Sequence, residues 1–255
     1  MKFLFSKYIA FLFISFISLF TFSCKEDPDT EANLPGVIKL EFDHLVDNTE
    51  LTLNNEAYSN AHGDQFTVSD FKYYLSNITL EKADGTEYVQ PESYYLIDES
   101  VPASKLITLS DIPAGEYTNL SFTIGVDSAR NVSGAQTGAL DPANNMFWSR
   151  DKGYIFVLLE GTSPQSPNNN LAFRIGGFKK PYNAIRTISP TLNGQVLRVE
   201  AGKAPQLHLK VNVLDMFQGA NLINFAELSS AETGANSVKI ADNYTNMFRV
   251  DHIHQ

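Results

Sequence analysis

The sequence predicts an all-β domain: an antiparallel sandwich of two packed sheets, immunoglobulin-like, with long irregular loops. Three observations predict it. Residues 37–44 alternate, with Ile38, Leu40 and Phe42 apolar and Lys39, Glu41 and Asp43 charged, as a strand buried on one face requires. Nine further short runs of strand character follow, separated by turn formers such as Ala83-Asp84-Gly85, Pro113-Ala114-Gly115 and Asn193-Gly194. Helical periodicity is scarce, and many short strands punctuated by turns are the pattern of a sandwich or a barrel.

The N-terminal segment stands apart from that domain. Lys2 and Lys7 precede an apolar stretch over residues 8–22, which ends at Ser23-Cys24 and gives way to Lys25-Glu26-Asp27-Pro28-Asp29. A basic start, a short apolar core and a small residue at the break define a secretory signal over residues 1–23. The apolar core is shorter than the roughly 20 residues of a membrane-spanning helix. Cys24 is the only cysteine of the chain, so no intramolecular disulfide is available, and a lone thiol at the signal boundary points to lipid on its sulfur. Phe22-Ser23-Cys24 resembles the loose lipobox of Bacteroidetes lipoproteins, although Thr21 stands where a stricter lipobox has Leu. Lys25-Glu26-Asp27 resembles the acidic signal that sends such lipoproteins to the outer face of the outer membrane. Residues 24–35 are acidic, contain Pro28 and Pro35 and lack periodicity, which describes a lipidated flexible tether. The folded domain is then residues 36–255.

The formal net charge is −10, and loss of Lys2 and Lys7 with the signal makes the mature chain more acidic still. Such a surface repels phosphate backbones, which excludes nucleic acid as a partner.

Within the domain, strands are expected at residues 37–44, 71–80, 93–97, 105–109, 120–126, 154–160, 171–175, 195–199, 206–214 and 247–254. Val68-Ser69-Asp70-Phe71 and Asp215-Met216-Phe217 are each able to open a single helical turn, and residues 219–225 read as irregular. Residues 127–148 lack periodicity and are rich in Gly, Ala and Asn. A loop of that length in a compact domain is usually functional or separately organised.

Histidines supply the candidate metal ligands. In the last run, alternation places Phe248, Val250, His252 and His254 on one face. Imidazoles two residues apart on a strand are separated by about 7 Å, so His252 and His254 can converge on one ion; solvated terminal histidines are the alternative. His44 follows Ile38, Leu40 and Phe42 in phase, and pairing of the first and last strands would bring it to His252 or His254, a nitrogen set suited to copper or zinc. The alternative for His44 is a half-buried ring bonded to a carbonyl. His208 shares the polar face of Lys210 and Asn212 and reads as solvated, and His62 lies in a turn-like stretch. Asp127, Asn131, Asp141, Asn144 and Asn145 are oxygen donors, but their spacing does not match a calcium loop and ordinary turns account for them better. Trp148, the only tryptophan, reads as a packing residue. No nucleophile elbow, zinc-protease helix, phosphate loop or free cysteine nucleophile occurs, so a binding protein rather than an enzyme is expected.

Several separated blocks resemble one family. They are Phe71-Lys72-Tyr73-Tyr74-Leu75-Ser76-Asn77-Ile78; Phe122-Thr123-Ile124-Gly125-Val126-Asp127-Ser128-Ala129-Arg130-Asn131; Gly138-Ala139-Leu140-Asp141-Pro142-Ala143-Asn144 through Met146-Phe147-Trp148; Gly153-Tyr154-Ile155-Phe156 with Leu159-Glu160-Gly161; and Ile240-Ala241-Asp242-Asn243-Tyr244 with Met247-Phe248. In this order they resemble the MbnP-like family of copper-binding proteins, from about Val37 to His254. The resemblance implies a β-sandwich that binds copper in the cell envelope, through histidines and a tryptophan oxidised to kynurenine by a partner dihaem enzyme of the MbnH type. Trp148 occupies the position of that modified residue. Arg150 departs from the pattern, since relatives often carry an aromatic or a histidine there and a guanidinium has no lone pair to donate. The departure leaves two functional readings. One is a copper-binding lipoprotein using His44, His252 and His254; the other is a metal-free surface module that binds a glycan or a protein.

Overall fold

The computed structural model describes residues 34–134 and 136–255; the expected secretory signal, Cys24 and most of the expected tether lie outside them. Nine longer strands carry the architecture: β1 (Gly36–Val46), β2 (Gln65–Lys82), β3 (Tyr94–Asp98), β4 (Leu106–Ile112), β5 (Gly115–Ile124), β6 (Gly153–Thr162), β7 (Leu171–Gly176), β8 (Gln206–Asn212) and β9 (Phe248–His254). Each expected strand run falls on or against a strand, 195–199 on the short Leu197–Val199. Two helices join them, α1 (Ser128–Val132) and α2 (Ala235–Tyr244). Among the described residues no helix is long and apolar enough to cross a membrane.

One sheet has the order β9, β8, β1, with β4 and the short strand Thr49–Glu50 also paired to β1. The other is organised around the long β2, whose beginning pairs with β6, its middle with β3 and its end with β5; β6 pairs on with β7. The sheets are mixed rather than purely antiparallel. β1 and β8 run parallel, as do β7 and the short strand Ser230–Ala231. β8 reaches β1 only after the second sheet has been built, and such long returns permit parallel pairing where hairpins do not.

The inner faces meet in an aromatic layer. The Tyr73 ring of the second sheet lies 6.4 Å from Phe42 and 5.4 Å from Phe248 of the first, and Phe122 lies 5.2 Å from Phe248. Edge-to-face geometry predominates, which suits the ring quadrupoles. β2 and β6 are buried over most of their length, because layers cover both of their faces. Their crossing demands a residue without a side chain. A Cβ on Gly161 would lie 1.9 Å from the Thr67 carbonyl oxygen, at a register shift between the two strands. Burial also explains why Val68-Ser69-Asp70-Phe71 is strand and not a helical turn: Val68 and Phe71 are both core residues within β2.

Residues 127–134 and 136–148 are organised rather than loose. Asp127 caps α1 by accepting from the Ala129 and Arg130 amides, and Asp141 accepts from the Ala143 amide at the next turn. Asn131 accepts from the Tyr154 amide and donates to the Val126 carbonyl. The phenols of Tyr74 and Tyr154 donate to the Ala139 and Leu140 carbonyls, pinning the segment to the second sheet. These oxygen donors therefore serve caps and turns.

Candidate metal centre

Strand alternation in β1 persists to its end, so His44 points into the core behind Ile38, Leu40 and Phe42. There its Nδ1 lies 2.6 Å from the Glu99 carboxylate and its Nε2 lies 2.9 Å from the Tyr73 hydroxyl. The ring also sits edge-on to Phe71, 5.1 Å away. Burial pushes its pKa below the ordinary histidine value, partly opposed by Glu99, so the ring is a neutral tautomer that donates from Nδ1 and accepts from the phenol. Burial would raise Glu99, but hydrogen bonds from His44 and Lys105 outweigh it and hold that carboxyl below its usual range. Both nitrogens of His44 are spent on the protein. The expectation that His44 joins His252 and His254 is corrected on this ground: β8 lies between β1 and β9, and His44 faces the interior.

His252 and His254 do share a face, but not with Phe248 and Val250. Between β8 and β9, Leu209 pairs with Val250 and His208 with His252, which leaves Asp251 as an extra residue on β9. Such a bulge shifts the phase of alternation by one. Phe248 and Val250 pack inward, Ile253 is packed against the core opposite Leu207, and His252 and His254 are turned to the outer face. His208, on the polar face of β8, is thereby brought beside them.

The three rings form a close cluster. His208 and His252 stack at 4.3 Å between centroids, and His254 stands edge-on to both, at 5.2 Å from His208 and 4.6 Å from His252. One ligating atom from each of the three lies within 4.8 Å of the other two. The Nε2 atoms of His252 and His254 are 3.0 Å apart. Two nitrogens bound to one tetrahedral ion, at about 2.0 Å each, would be separated by about 3.3 Å, so only a slight opening is needed. The donor set fits a borderline cation such as copper or zinc.

Carboxylates stand behind two of the rings. Asp251 lies 2.9 Å from Nδ1 of His252, and Glu41, across from His208 on β1, lies 3.1 Å from Nδ1 of His208. Lys210 pairs with Asp251 at 2.7 Å, and hydrogen bonds from Lys210 and then His252 hold the Asp251 carboxyl below its usual range. The Gln206 amide donates to Glu41 and reaches Nε2 of His208 at 3.2 Å. The terminal strand is stitched on its far side as well: Asn193 donates to the Val250 carbonyl at 3.2 Å, and the Ile253 amide donates to the Gln195 side chain at 3.1 Å. The C-terminus is thus an ordered edge of the sheet.

Trp148 belongs to the other sheet. It sits on the short strand Phe147–Ser149, paired to the start of β6, with its ring against Gly176 and the Lys152 ammonium 5.7 Å from the ring centre. It lines a cleft of about 330 Å³ with Asp70, Lys72, Glu160 and Arg174 among its neighbours. The His208, His252 and His254 cluster is the one group of three or more potential ligands of its kind among the described residues, and it does not include Trp148. His62 instead pairs with Asp64 at 3.1 Å in its turn. Sequence reading missed His208 as a ligand because its partners lie a strand away; the one available signal was its outward phase beside Lys210.

Fold and site together define a mixed β-sandwich with a solvent-facing histidine cluster on the outer face of one sheet. The chain belongs to the MbnP family, whose model matches residues 35–239. Its structure is similar to that of MbnP from Methylosinus trichosporium, with a TM-score of 0.53 and 14% sequence identity over 79% of this chain and 82% of that one. Among curated proteins none matches the sequence. The family match ends before β9, so His252 and His254 lie beyond it.

Proposed function

We propose that this chain is a copper-binding lipoprotein of the cell envelope, exported and held at the outer membrane through lipid on Cys24, and that it handles the metal without catalysing a reaction. The observation that carries the reading is the convergence of His208, His252 and His254 within 4.8 Å on an ordered strand pair. Membership of a copper-associated family supports it, as does a donor set made only of imidazole nitrogens. When bound, copper would supply a cargo or a redox ion; the protein's part is to present three nitrogens and orient their rings. Lipid on Cys24 rests on the signal-like N-terminus and the sole cysteine. An MbnH-type partner acting on Trp148 is the associated proposal, and Arg150 beside it speaks against a second copper site there.

The test is elemental analysis of the purified chain after exposure to limiting copper and desalting. The expected outcome is near one copper per chain, lost in His252→Ala/His254→Ala but kept in Trp148→Phe. Metal-free native protein would overturn the reading. It would favour the second one, a glycan- or protein-binding module, for which the cleft beside Trp148, walled by Lys72, Glu160 and Arg174, is the specific observation.

A further inference from the structure

We infer that the His208, His252 and His254 cluster is a site for Cu(II) rather than Cu(I), and that Glu41 and Asp251 are its positioning residues. The inference rests on the copper reading and deepens it. Three features carry it, and the first is the donor set. Cu(I) favours thiolate and thioether sulfur. Among the described residues the methionines are Met146, Met216 and Met247, and all three are fully buried in the core, away from the outer face of β8 and β9. The cluster offers nitrogen alone, and nitrogen donors bind divalent copper more tightly than any other divalent ion of the first row, zinc included.

Charge is the second feature. Glu41 and Asp251 place two carboxylates directly behind the rings, at 3.1 Å from His208 and 2.9 Å from His252. Coulomb attraction scales with the charge of the ion, so these groups favour a +2 over a +1 ion twice over at a given distance. Lys210 offsets part of the Asp251 charge, whereas among the described residues no lysine or arginine pairs with Glu41.

Tautomer control is the third. A carboxylate that accepts from Nδ1–H fixes an imidazole so that the Nε2 lone pair points away from it, which orients the ligand and raises its basicity. Asp251 does this for His252, and Glu41, whose charge lies 3.1 Å from Nδ1 of His208 without an aligned hydrogen bond, favours the same tautomer electrostatically, from strands on either side of β8. The bulge that turns His252 outward is also what puts Asp251 beside it. One extra residue therefore serves both the phase of the strand and the orientation of the ligand.

The experiment compares the full-length chain with Glu41→Gln and Asp251→Asn, each verified as folded by its thermal melt. Cu(II) is titrated in air and read by electron paramagnetic resonance; Cu(I) is titrated without oxygen against a chromophoric Cu(I) chelator. The expected result is one Cu(II) per chain with hyperfine structure from three nitrogens, falling to two in His208→Ala. Each carboxylate variant should keep the three-nitrogen signature while its Cu(II) affinity falls by about 10- to 100-fold, the usual effect of losing an outer partner of a ligand. Tighter binding of Cu(I) than of Cu(II) would overturn the inference and leave the copper reading standing. Unchanged Cu(II) affinity in both carboxylate variants would overturn the positioning roles. Failure to bind either ion would overturn the copper reading itself.

Discussion

His44 and His208 lie on adjacent parallel strands, each in a run of alternating residues, and their phases send them to opposite sides of one sheet. His44 shares the phase of Leu40 and Phe42 and enters the core; His208 shares that of Lys210 and stays outside. The buried ring must remain neutral, which ties stability to pH. Its folded pKa lies below the value of about 6.5 found in an unfolded chain. Below that value the unfolded state takes up the proton first, so stability contributed by neutral His44 is complete above about pH 6.5 and declines as the pH falls. Asp43 and Glu99 favour protonation and Lys105 opposes it, but burial dominates. Glu99, also lowered, adds a further loss in the carboxylate range. Chemical denaturation between pH 8 and pH 5 should show the decline in the native protein and a flatter profile in His44→Phe. His44→Ala, which leaves Glu99 and Tyr73 without their partner, should cost about 2 to 4 kcal/mol in the same assay yet leave copper stoichiometry intact. Loss of copper in a folded His44 variant would contradict the placement of the site on the outer face.

At the scale of elements, strand readings succeeded where one face is buried and regular alternation runs on, as in β1, or where a continuous apolar run is flanked by turns, as in β6. They failed at irregularities. The bulge at Asp251 reverses the phase of the last strand's end, and no residue in Val250-Asp251-His252 announces it; only pairing with β8 reveals the extra residue. α2 was not legible because Asn236, Ser237, Asp242 and Asn243 are poor helix formers and its inward side chains include polar ones. Its formation is tertiary: Ser237 donates to the Gly176 carbonyl at 2.7 Å, and Asn243 donates to the carbonyls of Met216 and Asn221 at 3.1 and 2.7 Å. The crossing of β2 and β6 gives the sharpest test at this scale. Gly161→Ala would force a Cβ to within 1.9 Å of the Thr67 oxygen, where backbone rather than a flexible side chain must yield. A loss of at least about 2 kcal/mol is expected in urea denaturation, well above the effect of an ordinary surface substitution. An unchanged midpoint would mean that the two strands do not approach in this register.

For the whole molecule, the site is made of residues at 41, 208 and 251–254, drawn from three strands that meet only because the chain's last strand folds back beside β8, and β8 beside its first. Family resemblance was legible over most of the domain, where the family model matches residues 35–239, whereas this convergence was not, since it depends on a parallel pairing that local sequence does not encode. The same global view bears on how a cation reaches the cluster. The chain carries a net charge of −10, while the face around the cluster is mixed, with Lys39, Lys210 and Arg249 standing among Glu41, Asp43 and Asp251, so the attraction comes from the acidic chain as a whole. A negative field over an open site raises the encounter rate of a cation without altering the bonds that hold it. Screening acts over about 30 Å at 0.01 M salt and only about 3 Å at 1 M. Stopped-flow measurement across that range should therefore show the association rate of Cu(II) falling several-fold while its dissociation rate changes little. A fall carried by dissociation instead would assign the salt effect to the ion pairs around Asp251 and not to the field of the acidic surface.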